Sequence, residues 1–282
     1  MRRLRSLLFV PGDRPERFDK AALSGADAII LDLEDSVDLS RKSEARAAVA
    51  RYLAGSRRVT TIVRVCPLTS GLVEFDLAAV LARRPDMIMF PKAEGAQSVL
   101  RLSAMMGEVA VPILPIATET PAALFQLGSY ADVKEHLGGL TWGAEDLPAA
   151  IGAASSREED GRYTPPYEMA RGLTLFAAHA AGVPAIETVY PAITDLDGLA
   201  AYAARGRRDG FTGMMAIHPA QVPVINAAFT PTDAELALAR AIVTAFDANP
   251  GAGAIQLDGQ MIDAPHLKSA RRIIALAEGL GN

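Results

Sequence analysis

The feature that most restricts the fold is a pattern that recurs along residues 1–230. A short apolar run rich in Ile, Val, Leu and Met is followed each time by a longer segment with helical spacing. The runs are LRSLLFVPG, ADAIILDLEDS, RVTTIVRVCP, PDMIMFPKAE, VPILPIATET, LGGLTWGAED, GVPAIETVYP and FTGMMAIHPA. Runs this continuous are typical of strands that are buried on both faces. Their alternation with helices predicts a parallel sheet with helices outside it.

Eight such units favour a closed (β/α)8 barrel, the TIM barrel, over an open doubly wound sheet. About 250 residues is typical of the barrel. An open sheet that binds nucleotides usually carries a Gly-rich loop after its first strand, whereas this chain has VPGDRPE there. Neither G-x-G-x-x-G nor a P-loop lysine motif occurs in the sequence. We predict an α/β fold, with a TIM-barrel catalytic domain over residues 1–230 and a C-terminal helical extension over residues 231–282.

Two segments depart from the barrel pattern. The extension is predicted to contain a helix to about Ala248, a Gly-rich linker in NPGAGAIQLDGQ and a closing amphipathic helix in PHLKSARRIIALAEGL. It exceeds what a barrel needs, so we expect it to pack on the barrel or on a neighbouring subunit. The polar stretch SSREEDGRYTPP, residues 155–166, interrupts the pattern near the sixth strand and is predicted to be a mobile excursion.

Composition argues against several classes of protein. The net charge of -5 argues against a nucleic-acid-binding protein. Cys66 is the only cysteine, so no disulfide can form within the chain. The apolar run LLFV near the N-terminus is too short for a signal peptide. No apolar stretch reaches the ~20 residues of a membrane span. We therefore expect a soluble cytoplasmic protein that does not bind membranes.

Nearly every predicted strand ends in a charged or ionisable residue. In TIM-barrel enzymes the active site lies at the C-terminal ends of the strands. In chain order these residues are Asp13 and Arg14, then Asp32, Glu34 and Asp35, then Arg64, then Lys92 and Glu94, then Glu119, then Glu145 and Asp146, then Glu187, then His218. Neutral side chains could close a barrel mouth equally well, so the pattern indicates chemistry.

The set is rich in carboxylates and poor in Cys and His. Oxygen ligands suit Mg²⁺ or Mn²⁺ better than zinc. Glu119 and Asp146 end consecutive predicted strands, so their carboxylates could share one ion. The adjacent acids Glu145 and Asp146 also need an explanation, because a buried charge is costly unless it is paired or bound to a metal. We expect Asp146 to meet a metal and Glu145 to pair with an arginine or a helix N-terminus.

The residues around this pair allow more than one interpretation. The three acids after the second strand, Asp32, Glu34 and Asp35, could cap the next helix. They could also pair with Arg14 or Arg64, or take part directly in the site. Arg64 could be a buried ion-pair partner, or its guanidinium could grip a substrate carboxylate or an oxyanion.

Three further residues are weighed in the same way. Lys92 could be a structural partner of Glu94, or a nucleophile that forms a Schiff base with a carbonyl substrate. His218, followed by proline, is expected to be structural at the start of the last barrel helix. Cys66 has no neighbouring base in the sequence, so we do not expect it to act as a nucleophile.

Seven motifs between about residues 4 and 276 resemble, in order, the citrate lyase beta-subunit-like proteins. These belong to the malyl-CoA lyase-like branch of the HpcH/HpaI aldolase superfamily. The motifs are LRSLLFVPGDRPERFDKA, ADAIILDLEDSV, VRVCPL, ATETPAAL, GAEDLPAAIG, AIHPAQVPVINAAFTPT and LDGQMIDAPHLKSARRI. The resemblance implies a barrel with a C-terminal extension, often trimeric. It also implies a Mg²⁺-dependent lyase that acts on 3-hydroxyacyl-CoA thioesters, with an acyl-CoA and a keto acid as the small-molecule partners.

The resemblance also implies roles for individual residues. The two metal-binding carboxylates map onto Glu119 and Asp146, and the substrate-binding arginine maps onto Arg64. The acid/base aspartate, which a neighbouring subunit supplies in the family, maps onto Asp263. The residues expected to contact the substrate are Arg64, Glu119, Glu34, Asp35 and Lys92.

Three positions depart from the family pattern. Cys66 stands where relatives commonly have Asn, Met214 stands where a Lys often follows the Gly, and Glu187 replaces a more usual Asp. Malyl-, citramalyl- and citryl-CoA are the candidate substrates. Two alternatives remain: an aldolase that forms an imine on Lys92, and a beta subunit of a citrate lyase assembly, to which an acyl-carrier protein presents the substrate.

Overall fold

The computed structural model describes residues 3–279. It contains two compact units, Leu4–Asn226 and residues 227–279 together with Arg3. The first unit has eight strands. They are β1 (Ser6–Pro11), β2 (Ala28–Asp32), β3 (Thr60–Arg64), β4 (Met87–Phe90), β5 (Ile113–Pro115), β6 (Leu140–Thr141), β7 (Ala185–Glu187) and β8 (Gly213–Ala216).

The eight strands are parallel and curl into a nearly closed barrel. Their hydrogen-bonded order is β5-β4-β3-β2-β1-β8-β7-β6. Parallel bridges from Ile113 to Leu137 and from Ile116 to Thr141 join the two ends of that order. The predicted TIM barrel is therefore confirmed.

Helices follow the strands. They are α1 (Phe18–Ala22), α2 (Lys42–Leu53), α3 (Val73–Val80), α4 (Gly95–Met106), α5 (Pro121–Leu124), α6 (Asp146–Ile151), α7 (Pro165–Ala181), α8 (Leu196–Asp209) and α9 (Gln221–Ala228). Short 3₁₀ segments occupy Pro15–Arg17, Leu39–Arg41, Leu68–Ser70, Leu81–Arg83 and Leu127–His136. Within residues 3–279, none of the helices combines the length and apolarity that a bilayer crossing requires.

Helix α7 lies where the sequence pattern predicts no helix, although both of its ends carry recognisable signals. Pro165 occupies its first turn, where a missing N–H costs nothing. Gly182 ends it in the left-handed conformation, with φ of 71°. The helix was not predicted because its first residues, Pro165 and Pro166, end the polar stretch SSREEDGRYTPP.

The alternation of side chains along the strands explains why charge collects at one end of the barrel. Alternate residues of a strand face the same side. The inner core consists of Leu4, Leu7, Ala28, Ile30, Ile62, Met87, Met89, Leu114, Ile116, Ile186 and Met215. On β2 and β3 the same alternation continues to Asp32 and Arg64, the last residues of those strands. A carboxylate and a guanidinium therefore lie inside the barrel at the C-terminal ends of the strands.

The stretch predicted to be mobile forms a small hairpin. Arg157 and Tyr163 make an antiparallel bridge, and the N–H of Glu158 donates to the carbonyl of Arg162 at 2.8 Å. Tyr163 is buried and packs edge-on against Trp142, with 5.1 Å between ring centroids. Because the stretch is mostly polar, its sequence does not indicate that Tyr163 is buried. Mobility of its exposed part stays a prediction.

The C-terminal unit is not purely helical. It contains α10 (Asp233–Asp247), β9 (Ala254–Leu257), β10 (Gln260–Asp263) and α11 (Ala264–Ala277). Its core is made of Ala239, Ile242, Phe246, Ile262 and Ala270. The prediction of a Gly-rich linker is wrong, because β9 and β10 pair as an antiparallel hairpin. Asp258 and Gly259 form its turn with positive φ values of 47° and 79°, as a type I′ turn requires.

Candidate active site

Arg64 is held rigidly at the mouth of the barrel. Its Nε and Nη2 donate to Oδ1 and Oδ2 of Asp32, both at 2.7 Å. Its Nη1 lies 3.0 Å from Oε2 of Glu34, and its guanidinium carbon lies 4.9 Å from the centre of the Phe9 ring. Burial raises the pKa of Asp32, but the charge and hydrogen bonds of Arg64 outweigh it and hold that pKa below its usual range. The predicted ion pair of Arg64 is therefore present.

Glu34 bridges the two cations of the site. Its Oε1 lies 2.8 Å from Nζ of Lys92, while its other oxygen contacts Arg64. Nζ of Lys92 also lies 3.2 Å from Oδ1 of Asp146. Asp35 is exposed at the rim, with an oxygen 3.9 Å from the same Nζ. The structure therefore gathers five of the predicted residues into one cluster.

One interpretation paired Lys92 with Glu94, but the structure does not contain this pair. Glu94 accepts a hydrogen bond from the hydroxyl of Thr120 instead. The backbone of Lys92 has φ of 51°, a left-handed conformation that costs a non-glycine residue about 1–3 kcal/mol. This conformation lets the N–H of Lys92 donate to Oε2 of Glu119 at 2.6 Å. One lysine thus contacts both predicted metal ligands, Glu119 through its backbone and Asp146 through its ammonium.

Glu119 is a buried carboxyl that lacks a full set of partners. It follows β5 and precedes Thr120, whose hydroxyl caps helix α5. Burial raises the pKa of Glu119 to about 8, and the neighbouring charge of Asp146 acts in the same direction. In the part of the chain that the structure describes, Oε2 accepts the Lys92 N–H and Oε1 accepts no hydrogen bond. A cation at Oε1 would stabilise the ionised form.

The Glu119 side chain occupies space that Gly143 leaves open. A Cβ atom at Gly143 would lie 2.9 Å from Cγ of Glu119 and 3.3 Å from its Oε1. Thr118, one residue before Glu119, fixes this approach, because its hydroxyl donates to the carbonyl of Gly143 and accepts from its N–H, both at 3.1 Å. Gly143 is the first residue of the motif GAEDLPAAIG, but the sequence gives no reason to assign it a role.

The adjacent acids Glu145 and Asp146 have different surroundings. Asp146 is the first residue of α6 and meets the ammonium of Lys92. Glu145 is exposed at the N-cap position of α6, without a side-chain cap. Among residues 3–279 no arginine forms a salt bridge with it, so the predicted arginine partner is wrong. Glu145 does lie at the N-terminus of α6, but its carboxylate makes no hydrogen bond to the helix, so the predicted pairing with a helix N-terminus is not confirmed.

Glu187 belongs to a different environment, although it also ends a strand. Its neighbour Ile186 is part of the inner core, so the Glu187 side chain points away from the barrel interior. The indole N–H of Trp142 and the hydroxyl of Tyr202 donate to its Oε1. Arg171 donates to its Oε2 at 2.7 Å. Glu187 is completely buried, and its carboxylate is not in the site.

The remaining candidates take no part in the cluster. His218 is exposed, and its Nδ1 accepts from the N–H of Ala220, as expected of a structural residue. Burial raises the pKa of the Cys66 thiol to about 12, and Asp76 acts in the same direction. A thiol with so high a pKa is a poor nucleophile, in agreement with the sequence analysis.

Asp263 lies in the C-terminal unit. It ends β10 and caps α11. Its Oδ1 lies 2.6 Å from Nδ1 of His266. Its assignment as the acid/base residue stays a prediction.

The donor set fits a magnesium ion held by two protein carboxylates. Across residues 3–279, no group of three or more His, Cys, Asp or Glu side chains is arranged to hold a metal. Mg²⁺ does not require one, because it usually takes one or two carboxylates and fills its remaining positions with water and substrate. Glu119, with a free acceptor oxygen, and Asp146, beside a cation, provide such a pair.

Comparison with known proteins agrees with this arrangement. Residues 5–219 match the family model described as HpcH/HpaI aldolase/citrate lyase. Residues 174–281 match a model described as a C-C bond lyase of the TIM-barrel fold. The chain is also similar to a solved structure of CitE from Mycobacterium tuberculosis in complex with magnesium, acetoacetate and coenzyme A. That likeness has a TM-score of 0.84 and 36% identity, and it covers 98% of each chain.

Three relatives match nearly the whole chain. A citrate lyase subunit beta-like protein of Mycobacterium tuberculosis is 36% identical, over 96% of this chain and 94% of its own length. A (3S)-malyl-CoA thioesterase of Cereibacter sphaeroides is 34% identical, over 98% and 95%. A mitochondrial citramalyl-CoA lyase of Rattus norvegicus is 32% identical, over 98% and 86%. The chain therefore belongs to the HpcH/HpaI aldolase/citrate lyase family of lyases.

Proposed function

We propose that this protein is a Mg²⁺-dependent carbon–carbon lyase. Its substrate would be a 3-hydroxyacyl-CoA thioester such as malyl-, citramalyl- or citryl-CoA, which it cleaves to (or forms from) an acyl-CoA and a keto acid. The observation that carries the proposal is the pair of carboxylates Glu119 and Asp146 beside Lys92, at the end of the barrel where such enzymes bind substrates. The relative crystallised with magnesium, acetoacetate and coenzyme A supports it.

Glu119 and Asp146 would hold the metal. Bound there, Mg²⁺ (or Mn²⁺) would act as a Lewis acid that polarises the keto oxygen and orients the substrate. Glu119 suits this role because its Oε1 has no hydrogen bond within residues 3–279, while the N–H of Lys92 fixes its Oε2. Asp146 is partly exposed and can be reached from solvent.

Arg64 would bind the thioester enolate oxygen or a substrate carboxylate. A guanidinium has five N–H donors. Asp32 accepts two of them, and Glu34 lies 3.0 Å from Nη1 as an ion-pair partner, so the remaining N–H groups would be available to a substrate oxygen. Because both partners and the Phe9 ring fix the guanidinium, Arg64 needs little reorganisation when charge develops, and such preorganised donors are the effective ones.

The proton transfers would belong to Asp263 of a neighbouring subunit in a homotrimer. In the direction of cleavage, its carboxylate takes the proton of the substrate 3-hydroxyl group. The hydroxyl oxygen becomes the carbonyl of the keto acid, the C2–C3 bond breaks, and its electron pair passes to the thioester enolate, which Arg64 stabilises. Asp263 then returns this proton to the enolate carbon, which gives the acyl-CoA. In condensation, the same carboxylate removes the α-proton.

The imine-forming alternative is disfavoured by the surroundings of Lys92. A Schiff-base lysine must be neutral to attack a carbonyl. Burial lowers the pKa of Lys92, but the hydrogen bond and charge of Glu34, with Glu119 and Asp146, outweigh it and raise that pKa above its usual value. Borohydride trapping with a keto acid should therefore leave the protein unlabelled.

If the chain instead serves an acyl-carrier protein, it should be inert toward free CoA thioesters.

The test is calorimetric titration of the full chain with glyoxylate, pyruvate, oxaloacetate and acetoacetate, with and without Mg²⁺, followed by acetyl-CoA and propionyl-CoA. We expect keto-acid binding that requires Mg²⁺ and that Asp146→Asn abolishes. Asp160→Asn, at an exposed aspartate that pairs with Arg162, is the matched control. Binding that is indifferent to Mg²⁺ would contradict the proposed function.

A further inference from the structure

We propose that Lys92 weakens the binding of the divalent cation and strengthens the binding of the anionic keto acid. Lys92 would thus set the balance between the affinities for the two ligands. The inference rests on the proposed function, since it takes Glu119 and Asp146 as the metal ligands. It follows from which carboxylates the ammonium contacts and from how the Lys92 backbone is held.

The charge balance of the site gives Lys92 this influence. Five carboxylates surround two cations; the acids are Asp32, Glu34, Asp35, Glu119 and Asp146, and the cations are Arg64 and Lys92. The two-pronged contact with Arg64 largely compensates Asp32. Most of the positive charge near the other four acids comes from the ammonium of Lys92 and from Nη1 of Arg64. Removing the ammonium therefore makes the site more negative, which attracts a metal ion and repels a keto-acid anion.

The ammonium of Lys92 already contacts an oxygen that the metal needs. Nζ lies 3.2 Å from Oδ1 of Asp146. A divalent ion bound by the same carboxylate would then have a positive charge as its close neighbour, and like charges this close repel each other in a partly buried site. Lys92 therefore competes with the metal for Asp146, although it is not itself a ligand.

The same ammonium is available to an anion once the metal is bound. It has three N–H donors. Glu34 accepts one of them at 2.8 Å, and Asp146 is an ion-pair partner at 3.2 Å. If a metal compensated the charge of Asp146, the ammonium would lose the attraction of this partner and could turn toward another anion. The Lys92 side chain is 29% exposed, so a keto-acid carboxylate arriving from solvent can reach the ammonium.

The backbone of Lys92 allows the ammonium to be tested separately from the metal ligand. The contact with Glu119 is made by the N–H of Lys92, which every substitution except proline retains. Methionine keeps a long apolar stem and has the same difficulty with a φ of 51°. Lys92→Met therefore removes the charge and leaves the hydrogen bond to Glu119 in place. If Lys92 had a purely structural role, its loss would weaken the binding of both Mg²⁺ and the keto acid. The direction of the change in Mg²⁺ affinity therefore separates the two cases.

The experiment is calorimetric titration of full-length Lys92→Met and wild-type protein, first with MgCl₂ alone and then with pyruvate or oxaloacetate in saturating Mg²⁺. We expect Mg²⁺ to bind Lys92→Met about five- to tenfold more tightly and the keto acids to bind it at least about fivefold more weakly. Lys92→Arg should restore both affinities toward wild type. Lys134→Met, at an exposed lysine, makes the same charge change outside the site and should alter neither.

The outcomes distinguish this inference from the proposed function. Unchanged or weaker Mg²⁺ binding by Lys92→Met overturns the inference, and Lys92→Gln repeats the test if Lys92→Met fails to fold by circular dichroism. If Asp146→Asn abolishes Mg²⁺ binding in the same assay, the proposed metal site stands even then. If Asp146→Asn binds Mg²⁺ as wild type does, or wild type binds neither ligand, the proposed function fails and the inference fails with it.

Discussion

Two clusters of charge lie at strand ends of the same barrel, and they differ in access and in saturation. We call the first the mouth cluster; it consists of Asp32, Glu34, Arg64, Lys92, Glu119 and Asp146. We call the second the sealed cluster; it consists of Trp142, Arg171, Glu187 and Tyr202. Side chains of the mouth cluster reach exposures of 29% at Lys92 and 34% at Asp146. In the sealed cluster, the Arg171–Glu187 pair is exposed by 5% and 0%.

The hydrogen bonds of the two clusters show what each is suited to do. In the sealed cluster both oxygens of Glu187 are occupied, Oε1 by Trp142, Tyr202 and the N–H of Thr188, and Oε2 by Arg171. A buried carboxylate with these partners holds elements together and has no capacity left for a ligand. In the mouth cluster, one oxygen of Glu119 accepts no hydrogen bond from any residue between 3 and 279, and the backbone of Lys92 is strained. Both features are typical of functional sites.

The largest expected effect is the loss of turnover in Asp146→Ala. If the metal supplies several kcal/mol of transition-state stabilisation, the rate of citramalyl-CoA or malyl-CoA cleavage should fall by about 10³-fold or more. Steady-state assays across Mg²⁺ concentrations measure it. The thermal unfolding midpoint should stay close to wild type, because the side chain is partly exposed. An Asp146→Ala enzyme with normal activity would remove this residue from the site.

The sealed cluster should respond through stability. Glu187→Ala leaves the buried Arg171 without the carboxylate that lies 2.7 Å from its Nε, and breaking a buried pair typically costs about 3–5 kcal/mol. Urea unfolding should show this loss. At temperatures where the variant is folded, its Mg²⁺ affinity should equal that of wild type. A loss of Mg²⁺ affinity as large as that of Asp146→Asn would show that the two clusters are not independent.

The sequence predicts the mouth cluster better than it predicts the difference between the clusters. Asp32, Arg64, Glu119 and Asp146 could be expected at one edge because they follow apolar runs that become parallel strands. Glu187 follows such a run too, but strands buried on both faces show no alternation in sequence. Only the position of Ile186 in the inner core reveals that Glu187 points the other way.

Two other features differ in whether the sequence reveals them, and only one of them is a matter of local chemistry. The Asp258-Gly259 pair between AIQL and QMID has the preferred composition of a two-residue hairpin turn, yet the glycines before it suggest a linker. Gly143 could not be found this way, because its importance depends on Glu119, a contact made across two neighbouring strands. Contacts between distant segments come from packing, which one sequence does not display.

Gly143→Ala should have an intermediate effect that is confined to the mouth cluster. The new methyl group would lie 2.9 Å from Cγ of Glu119, so the carboxylate must move. We expect Mg²⁺ affinity to fall about tenfold, since a displaced ligand loses on the order of 1.4 kcal/mol. Gly172→Ala is the matched control, because a Cβ there meets nothing within 4 Å. Calorimetry with MgCl₂ measures both, and equal affinities in the two variants would contradict the steric argument.

The smallest expected effect, in Tyr202→Phe, tests whether the sealed cluster is saturated. The change removes one donor at 2.9 Å from Glu187, while Trp142, Thr188 and Arg171 remain. We expect a loss of about 1 kcal/mol in the free energy of unfolding and no change in turnover, measured by urea unfolding and by the cleavage assay. Trp142 lies four residues before Asp146 on the segment that joins β6 to α6. A tenfold fall in turnover would therefore mean that the hydrogen bonds of Glu187 also position the metal ligand, and that the two clusters act as one.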